Sequence, residues 1–419
     1  MKNNHKAISG RKHGKLFLYL LIVITIIFPF TNLFHILYPI TLFGKSAWAA
    51  VPVIIIGFLY LYLFVSKRSK LLTTDILLVA IMTLVWMIIS VREITYNESM
   101  SFLDARFITT SLLFIMLTRN LMNNSYTMRV IAYAVIIQGI LVAAARSINY
   151  YFFPYVMVSY KGGLGGEAYI NTEGETTRDL LIASSISANI IVCGMFVLLV
   201  LMRHNITKLG NIPFLFIQFF MMLSTFNTLS RYPIAIAIVF FTLSFLQVKL
   251  VSLKNILSIT IAGMALLILI TLLNIEFFQF FERFNMDYSS RVDKFEVVIL
   301  LITNSVVDFL IGSSSALVNS TMVNGVLISD NSYGMIATTF GVPFALVFFI
   351  FLFYVFYKIK SDNISLVFIF YIVIGLGITN SILWEPWVFT AFLSFGVVSY
   401  YGRVSNSKCN SNLSFNKIK

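Results

Sequence analysis

"DNSYGMIATTFGVPFALVFFIFLFYVFYKIK", residues 330–360, decides the fold class. It opens on a polar cluster of Asp330, Asn331 and Ser332. It then runs from Gly334 to Tyr357 without a charged residue and closes on Lys358 and Lys360. A helix crossing a bilayer needs about 20 apolar residues, and this run supplies them. Bases at one end mark that end as cytoplasmic. The polar mouth then faces outward, and its carboxylate, amide and hydroxyl need a purpose.

The rest of the chain repeats the pattern. Of 419 residues, 59% are hydrophobic and only 11% charged, with a mean hydropathy of +0.90. A globular core cannot hide that much apolar surface, so the bilayer is the expected solvent. The apolar runs are continuous rather than alternating, which indicates helices and not a β-barrel. Twelve spans are expected, at 16–41, 47–65, 71–91, 103–118, 130–146, 180–202, 212–228, 232–248, 255–273, 334–357, 364–380 and 385–401.

With the N-terminus inside, twenty of the thirty basic residues fall on inner segments, among them "SKRSK" (66–70), Arg203, Lys208, Lys249, Lys254, Lys358 and Lys360. The acids fall almost entirely outside; Asp362 is the inner exception and Asp75 lies near an inner helix end. The positive-inside rule thus accounts for the formal charge of +13, and no nucleic-acid partner is implied. Residues 1–401 read as one polytopic membrane domain, and the polar tail 402–419 as a disordered cytoplasmic end. The apolar run from Leu16 outlasts a signal-peptide core, so it is expected to stay as the first span.

Two external segments stand out, at about 147–179 and about 274–333. The first is rich in tyrosine and glycine, as suits an interfacial, turn-rich loop. The second is too long for a simple connection. It contains "VDKFEVVILLITNSVVDFLIG" (292–312), with Asp308 near its end. This amphipathic-to-apolar stretch fits a helix at the interface or packed on the bundle. A short additional span is the alternative.

Cys193 and Cys409 lie far apart and suggest neither a disulfide framework nor a metal cluster. The chain has no P-loop, no dinucleotide-binding glycine pattern and no HExxH, so neither a cofactor nor a metal is expected.

The candidate chemistry rests on outer basic residues, which the positive-inside rule disfavours: Arg178, Arg231, Arg283 and Arg291, with Lys161 and Lys294 near them in sequence. Arginine stays charged and binds phosphate bidentately, so a cluster there suits a lipid-linked phosphate or pyrophosphate. Arg231 sits in "FNTLSRYPIA" (226–235), a turn so tight that its charge stays near bilayer depth. Its bland alternative is a snorkelling arginine. Arg178 precedes "DLLIASSISANII" (179–191), whose small residues allow close helix approach; a surface pair with Asp179 is the competing reading. Arg291 lies where charges alternate, which a solvated face also explains, and Arg283 has Glu282 beside it. Asp330 is the candidate acid or base. Asp330, Asn331 and Ser332 can equally cap the helix that follows. Asp104, Arg106 and Glu385 lie near outer helix ends, Glu385 between two tryptophans in the manner of an aromatic belt.

Several of these stretches resemble the Wzy-type polymerases of the O-antigen ligase and polymerase superfamily. "RDLLIASSISAN" (178–189) is similar to that family's arginine followed by a small-residue helix with an Asn. "TLSRYPIAI" (228–236) resembles its Ser-Arg turn, and "SRVDKFEVVILLITNSVVDFLIGSSS" (290–315) its long-loop pattern. "DNSYGMIATTFGVP" (330–343) resembles the element that re-enters the membrane. Ligases of this kind carry His before the Asn, where this chain has Asp330, and neither external loop contains a histidine.

The resemblance implies an all-α, GT-C-like glycosyltransferase of the cytoplasmic membrane with its active site on the outer face. It would join undecaprenyl-pyrophosphate-linked oligosaccharide repeat units for capsule, O-antigen or exopolysaccharide, with inversion and without a metal. Asp330 and Arg291 would be catalytic. Arg178, Arg231, Arg283, Asn331, Ser332 and Lys161 would hold pyrophosphate and glycan. Membrane lipids, a flippase and a chain-length regulator are the implied partners. A lipid-linked oligosaccharide flippase and a ligase are the rival readings; the absent two-fold repeat counts against the first and the missing His against the second.

Overall fold

A computed structural model describes residues 18–30, 41–42, 45–46, 73–97, 125–152, 184–228, 230–248, 288–314, 317, 332–359, 363–378, 390–391, 393–402 and 404. These residues are helical apart from short connections and one two-residue antiparallel ladder. In that ladder β1 (Thr41–Leu42) pairs with β2 (Lys45–Ser46). The helices are α1 (Leu18–Ile27), α2 (Thr73–Tyr96), α3 (Ser125–Phe152), α4 (Ser184–Arg203), α5 (Asn211–Phe226), α6 (Arg231–Gln247), α7 (Tyr288–Thr303), α8 (Val306–Ile311), α9 (Ser332–Phe340), α10 (Val342–Ile359) and α11 (Asn363–Ile378). The described positions of 390–402 form α12.

Among the described residues, three stretches are long and apolar enough to cross a membrane: Val79–Tyr96, Ser125–Ile148 and Ile186–Arg203. Shorter apolar helices accompany them at Leu18–Ile27, Asn211–Phe226, Tyr232–Gln247 and Val342–Tyr354. The expected spans 47–65, 103–118 and 255–273 lie outside the described residues.

The core is built around α4. Every residue from Ile186 to Leu201 is buried, as expected of a helix that is apolar all round. α3, α5 and α6 pack against it. Phe196 of α4 stacks on Phe240 of α6, with centroids 5.0 Å apart, and on Phe368 of α11 at 4.6 Å and 5° between planes. α12 is tied to α3 by the buried Thr390 hydroxyl, which donates to Gln138 Oε1 at 2.9 Å.

α3 and α4 meet at two glycines. A Cβ on Gly194 would lie 3.2 Å from the Gly139 Cα and 2.7 Å from the Met221 Cε of α5. Small residues let helix backbones approach where apolar association alone gives no drive. This close approach lies beyond the small-residue stretch 179–191 read from the sequence, at Gly194 on the same helix.

Two expected spans are corrected. The run 16–41 does not continue as one helix: α1 ends at a 3₁₀ turn, Phe28–Phe30, where Pro29 lacks an N–H for the ladder, and residues 41–42 form β1. The run 334–357 is two helices. α9 ends where the Gly341 N–H donates to the Ala337 carbonyl at 2.9 Å, and α10 begins beyond it. Gly341 has φ +86°, a region open to glycine and strained for other residues. The chain folds back there: the rings of Tyr333 and Phe349, equally far from Gly341 along the sequence, lie 4.6 Å apart. α9 is therefore a short helix packed antiparallel on the first half of α10. The expected amphipathic segment 292–312 is likewise an elbow of two helices, α7 and α8, neither long enough to span.

The glycine contact makes a graded prediction. Gly194→Ala should cost less than about 1 kcal/mol because the Met221 terminus can swing away, whereas Gly194→Leu should cost about 2–3 kcal/mol by forcing α3 from α4. Thermal unfolding of the purified protein in detergent checks both.

Candidate functional site

α9 links two buried polar centres, one at each end. At its start, Tyr333 donates its hydroxyl to the Val373 carbonyl in the middle of α11, at 2.9 Å. Close by on α11, the Tyr371 hydroxyl donates to Asn189 Oδ1 of α4. The Tyr371 carbonyl accepts from the Tyr232 hydroxyl at the start of α6. The rings of Tyr232 and Tyr371 stack 5.6 Å apart. Ser187, Asn189 and Ser332 are all buried.

These bonds bring the starts of α6 and α9, and the second turn of α4, to one stretch of α11. A helix N-terminus carries unpaired N–H groups and about half a positive charge, and such ends attract phosphate. Ser230 precedes α6 in an extended conformation and makes no side-chain cap.

Arg231 is the first residue of α6, Ser332 the first of α9, and Arg291 lies in the first turn of α7. The helix ends bearing Arg231 and Ser332 are brought together, since Tyr232 and Tyr333 bond carbonyls two residues apart on α11. α7 reaches the same element: a Cβ on Gly334 of α9 would lie 3.0 Å from Val298. Arg178, Lys161, Arg283, Asp330 and Asn331 lie outside the described residues, as do Asp104, Arg106 and Glu385.

The second centre lies at the far end of α9. Arg92, near the end of α2, is 2% exposed. Its Nη1 donates to the carbonyls of Ile311 (3.1 Å) and Thr339 (2.7 Å), and its Nη2 to that of Ser313 (2.7 Å). These carbonyls flank the two breaks in the chain. One break is Gly312, at φ +87°, and the other is Gly341. A Cβ on Gly312 would come within 2.6 Å of Arg92 Nη1; one on Gly341 would lie 2.2 Å from the Leu310 oxygen. Between the breaks, the Ser313 N–H donates to the Thr338 carbonyl at 2.8 Å, and its hydroxyl to the Leu301 carbonyl at 2.9 Å.

The charge is answered through Tyr96, one turn beyond Arg92. The guanidinium lies over the Tyr96 ring at 5.4 Å, a cation–π contact. The Tyr96 hydroxyl lies 2.7 Å from Asp308 Oδ1 and 2.9 Å from the Gly312 carbonyl. Asp308 Oδ2 accepts from Asn304 Nδ2 (2.9 Å) and the Ser305 hydroxyl (2.7 Å), while Ser305 caps α8 by accepting the Asp308 N–H at 3.0 Å. Burial pushes the Asp308 carboxyl up, but the bonds from Ser305, Tyr96 and Asn304 and the charge of Arg92 outweigh it and hold the group below the ordinary carboxylate range.

The sequence reading did not single out Arg92 or Tyr96, and it left Asp308 without a role. The signal for Arg92 was a charge in an apolar helical stretch, lost because the helix was expected to stop at 91. No family model matches the chain, and no curated protein or solved structure is significantly similar to it.

Replacing Arg92 with Met leaves three carbonyls without their donors, so a loss of about 3 kcal/mol or more is expected. Gly341→Ala should fail in the same way, because backbone rather than a flexible side chain blocks the new methyl. Asp308 gives a pH signature. Its folded value lies below its unfolded one, so its contribution is complete above about 3.9 and is lost as pH falls through the folded value. The stability difference between the wild type and Asp308→Asn should be flat from neutral pH to about 4 and shrink below it, as read by thermal unfolding across that range.

Proposed function

We propose that the chain is a membrane-embedded glycan polymerase. It joins undecaprenyl-pyrophosphate-linked oligosaccharide repeat units on the outer face of the cytoplasmic membrane. The proposed topology has twelve spans, both termini cytoplasmic, and outer loops near 147–179 and 274–333. The observation that supports the reading is the meeting of the starts of α6 and α9 with the second turn of α4 around residues 371–373 of α11. Arg231 opens one of those helices, the segment with Arg178 leads into another, and Asp330, Asn331 and Ser332 lead into the third.

The chemistry follows from that placement. A hydroxyl of the acceptor glycan attacks the anomeric carbon of the donor, the bond to lipid pyrophosphate breaks, and the pyrophosphate departs with both electrons of that bond. Helix ends and arginines stabilise the charge that develops on the leaving group. Asp330 takes the hydroxyl proton, and Arg291 acts with it beside the reacting centre. Arg178, Arg283, Asn331, Ser332 and Lys161 hold pyrophosphate and glycan. The Asp in place of the ligase His favours growth of a lipid-linked chain over transfer to another acceptor.

Protein reconstituted in vesicles and given a lipid-linked repeat unit should produce a ladder of polymer. Arg231→Ala and Arg291→Ala should each lower the rate about 100-fold, the scale expected for losing one transition-state donor. Transbilayer movement of the lipid without chain growth would overturn the polymerase reading in favour of a flippase.

A further inference from the structure

The α7–α8 elbow has a surface that glycosyl transfer does not use. Its inner side packs on the protein: Val297, Val298 and Leu301 are buried, and so is Asp308. Its outer side is apolar and open. Leu300 is 66% exposed and Val306 76%, and Ile299, Val307, Phe309 and Leu310 are exposed beside them. A loop bathed in water has no reason to display six large apolar side chains within twelve residues.

The polar residues at the tip give a second, independent indication. Thr303, Asn304 and Ser305 occupy the turn. The Thr303 hydroxyl donates back to the Ile299 carbonyl at 2.7 Å, and Asn304 and Ser305 both donate to Asp308 Oδ2. These three side-chain donors find acceptors inside the elbow rather than in water. That is the condition for chain irregularities to sit in hydrocarbon.

The neighbours identify what covers the surface. α8 packs between α2 and α10. α2 exposes Trp86, Met87, Val91 and Ile94, and α10 exposes Leu346, Val347 and Ile350. Val79–Tyr96 of α2 is one of the stretches apolar and long enough to cross a membrane, so the open face of α8 continues a surface suited to acyl chains. Along α7 the charged residues Arg291, Asp293, Lys294 and Glu296 come first, and the apolar run follows. That order matches passage from headgroups into hydrocarbon.

We infer that the α7–α8 elbow is a wedge inserted into one bilayer leaflet, its occupant the lipid acyl chains and not water or a second protein. The inference requires a bilayer but no glycosyl transfer, so it stands or falls apart from the polymerase reading.

The test places a polarity-sensitive fluorophore on single cysteines in the full chain. Cys409→Ser removes one native thiol, and Cys193 is buried in the core. Val306→Cys, Leu300→Cys and Phe309→Cys report on the wedge; each is exposed, so labelling does not disturb packing. Ile350→Cys marks the acyl region and Asn211→Cys an exposed helix end. The protein is reconstituted in phosphatidylcholine vesicles, with or without nitroxide groups on the acyl chains. The wedge probes should emit to the blue of the Asn211 probe, lose fluorescence to the nitroxide lipid as the Ile350 probe does, and resist aqueous iodide. Quenching by iodide and not by nitroxide overturns the inference in favour of a water-facing loop. Shielding from both overturns it in favour of a protein partner. Agreement of any two wedge probes decides.

Discussion

The guanidinium of Arg92 holds the two breaks in the chain on which this arrangement depends. Gly312 and Gly341 end α8 and α9 in conformations that free carbonyls from their helical ladders, and a buried carbonyl without a donor is costly. Arg92 supplies three donors from one rigid, planar group. A lysine would bring a point charge on a flexible stem and could not match three carbonyls on two chain segments. Burying the cation is itself expensive. The Tyr96 ring and the Asp308 carboxylate offset that expense, and Asp308 in turn is oriented by bonds from Asn304 and the capping Ser305.

Once those breaks are fixed, the position of α9 follows. It cannot continue α10 and must lie back along it, which carries its first residues to the middle of α11. There a second set of bonds, all from tyrosine hydroxyls, holds the starts of α6 and α9 and the Asn189 turn of α4. The two centres differ in character. The Arg92 centre is charged and saturated by backbone, so it supports the fold. The tyrosine centre is built from uncharged hydroxyl, carbonyl and amide groups at the starts of α6 and α9.

Much of this was legible from residue order. Composition gave the helical class, and the helices at 184–203, 211–226, 231–247 and 363–378 lie within a few residues of the expected spans. The polar residues at the start of the 330–343 stretch correctly marked a helix start. The fold-back at Gly341 was not legible, because glycine is common in apolar spans and its need for positive φ arises from the Leu310 backbone, distant in sequence. The Arg92 centre was hidden for a related reason. Its partners are carbonyls, which every residue possesses, so no side-chain pattern announces them. Asp308 was visible, but its partners Tyr96 and Arg92 lie more than two hundred residues away.

The division between the centres bears on the choice between polymerase and transporter. A transporter that alternates its access moves one half of the molecule against the other around its site. Here the helix at the middle, α4, is buried on every side, and aromatic stacking joins it to α6 and α11. Moving these elements apart would open close-packed contacts on several faces at once. A fixed site suits chemistry better, because dipoles already aimed at a leaving group need no reorganisation as charge develops, and in a water-poor interior they act at full strength. An enzyme that extends a lipid-linked chain needs two further things from such a scaffold: a firm floor for the pyrophosphate and a side open to lipid. Under the proposed reading, the tyrosine-held helix ends would serve the first requirement and the inferred lipid-facing elbow the second.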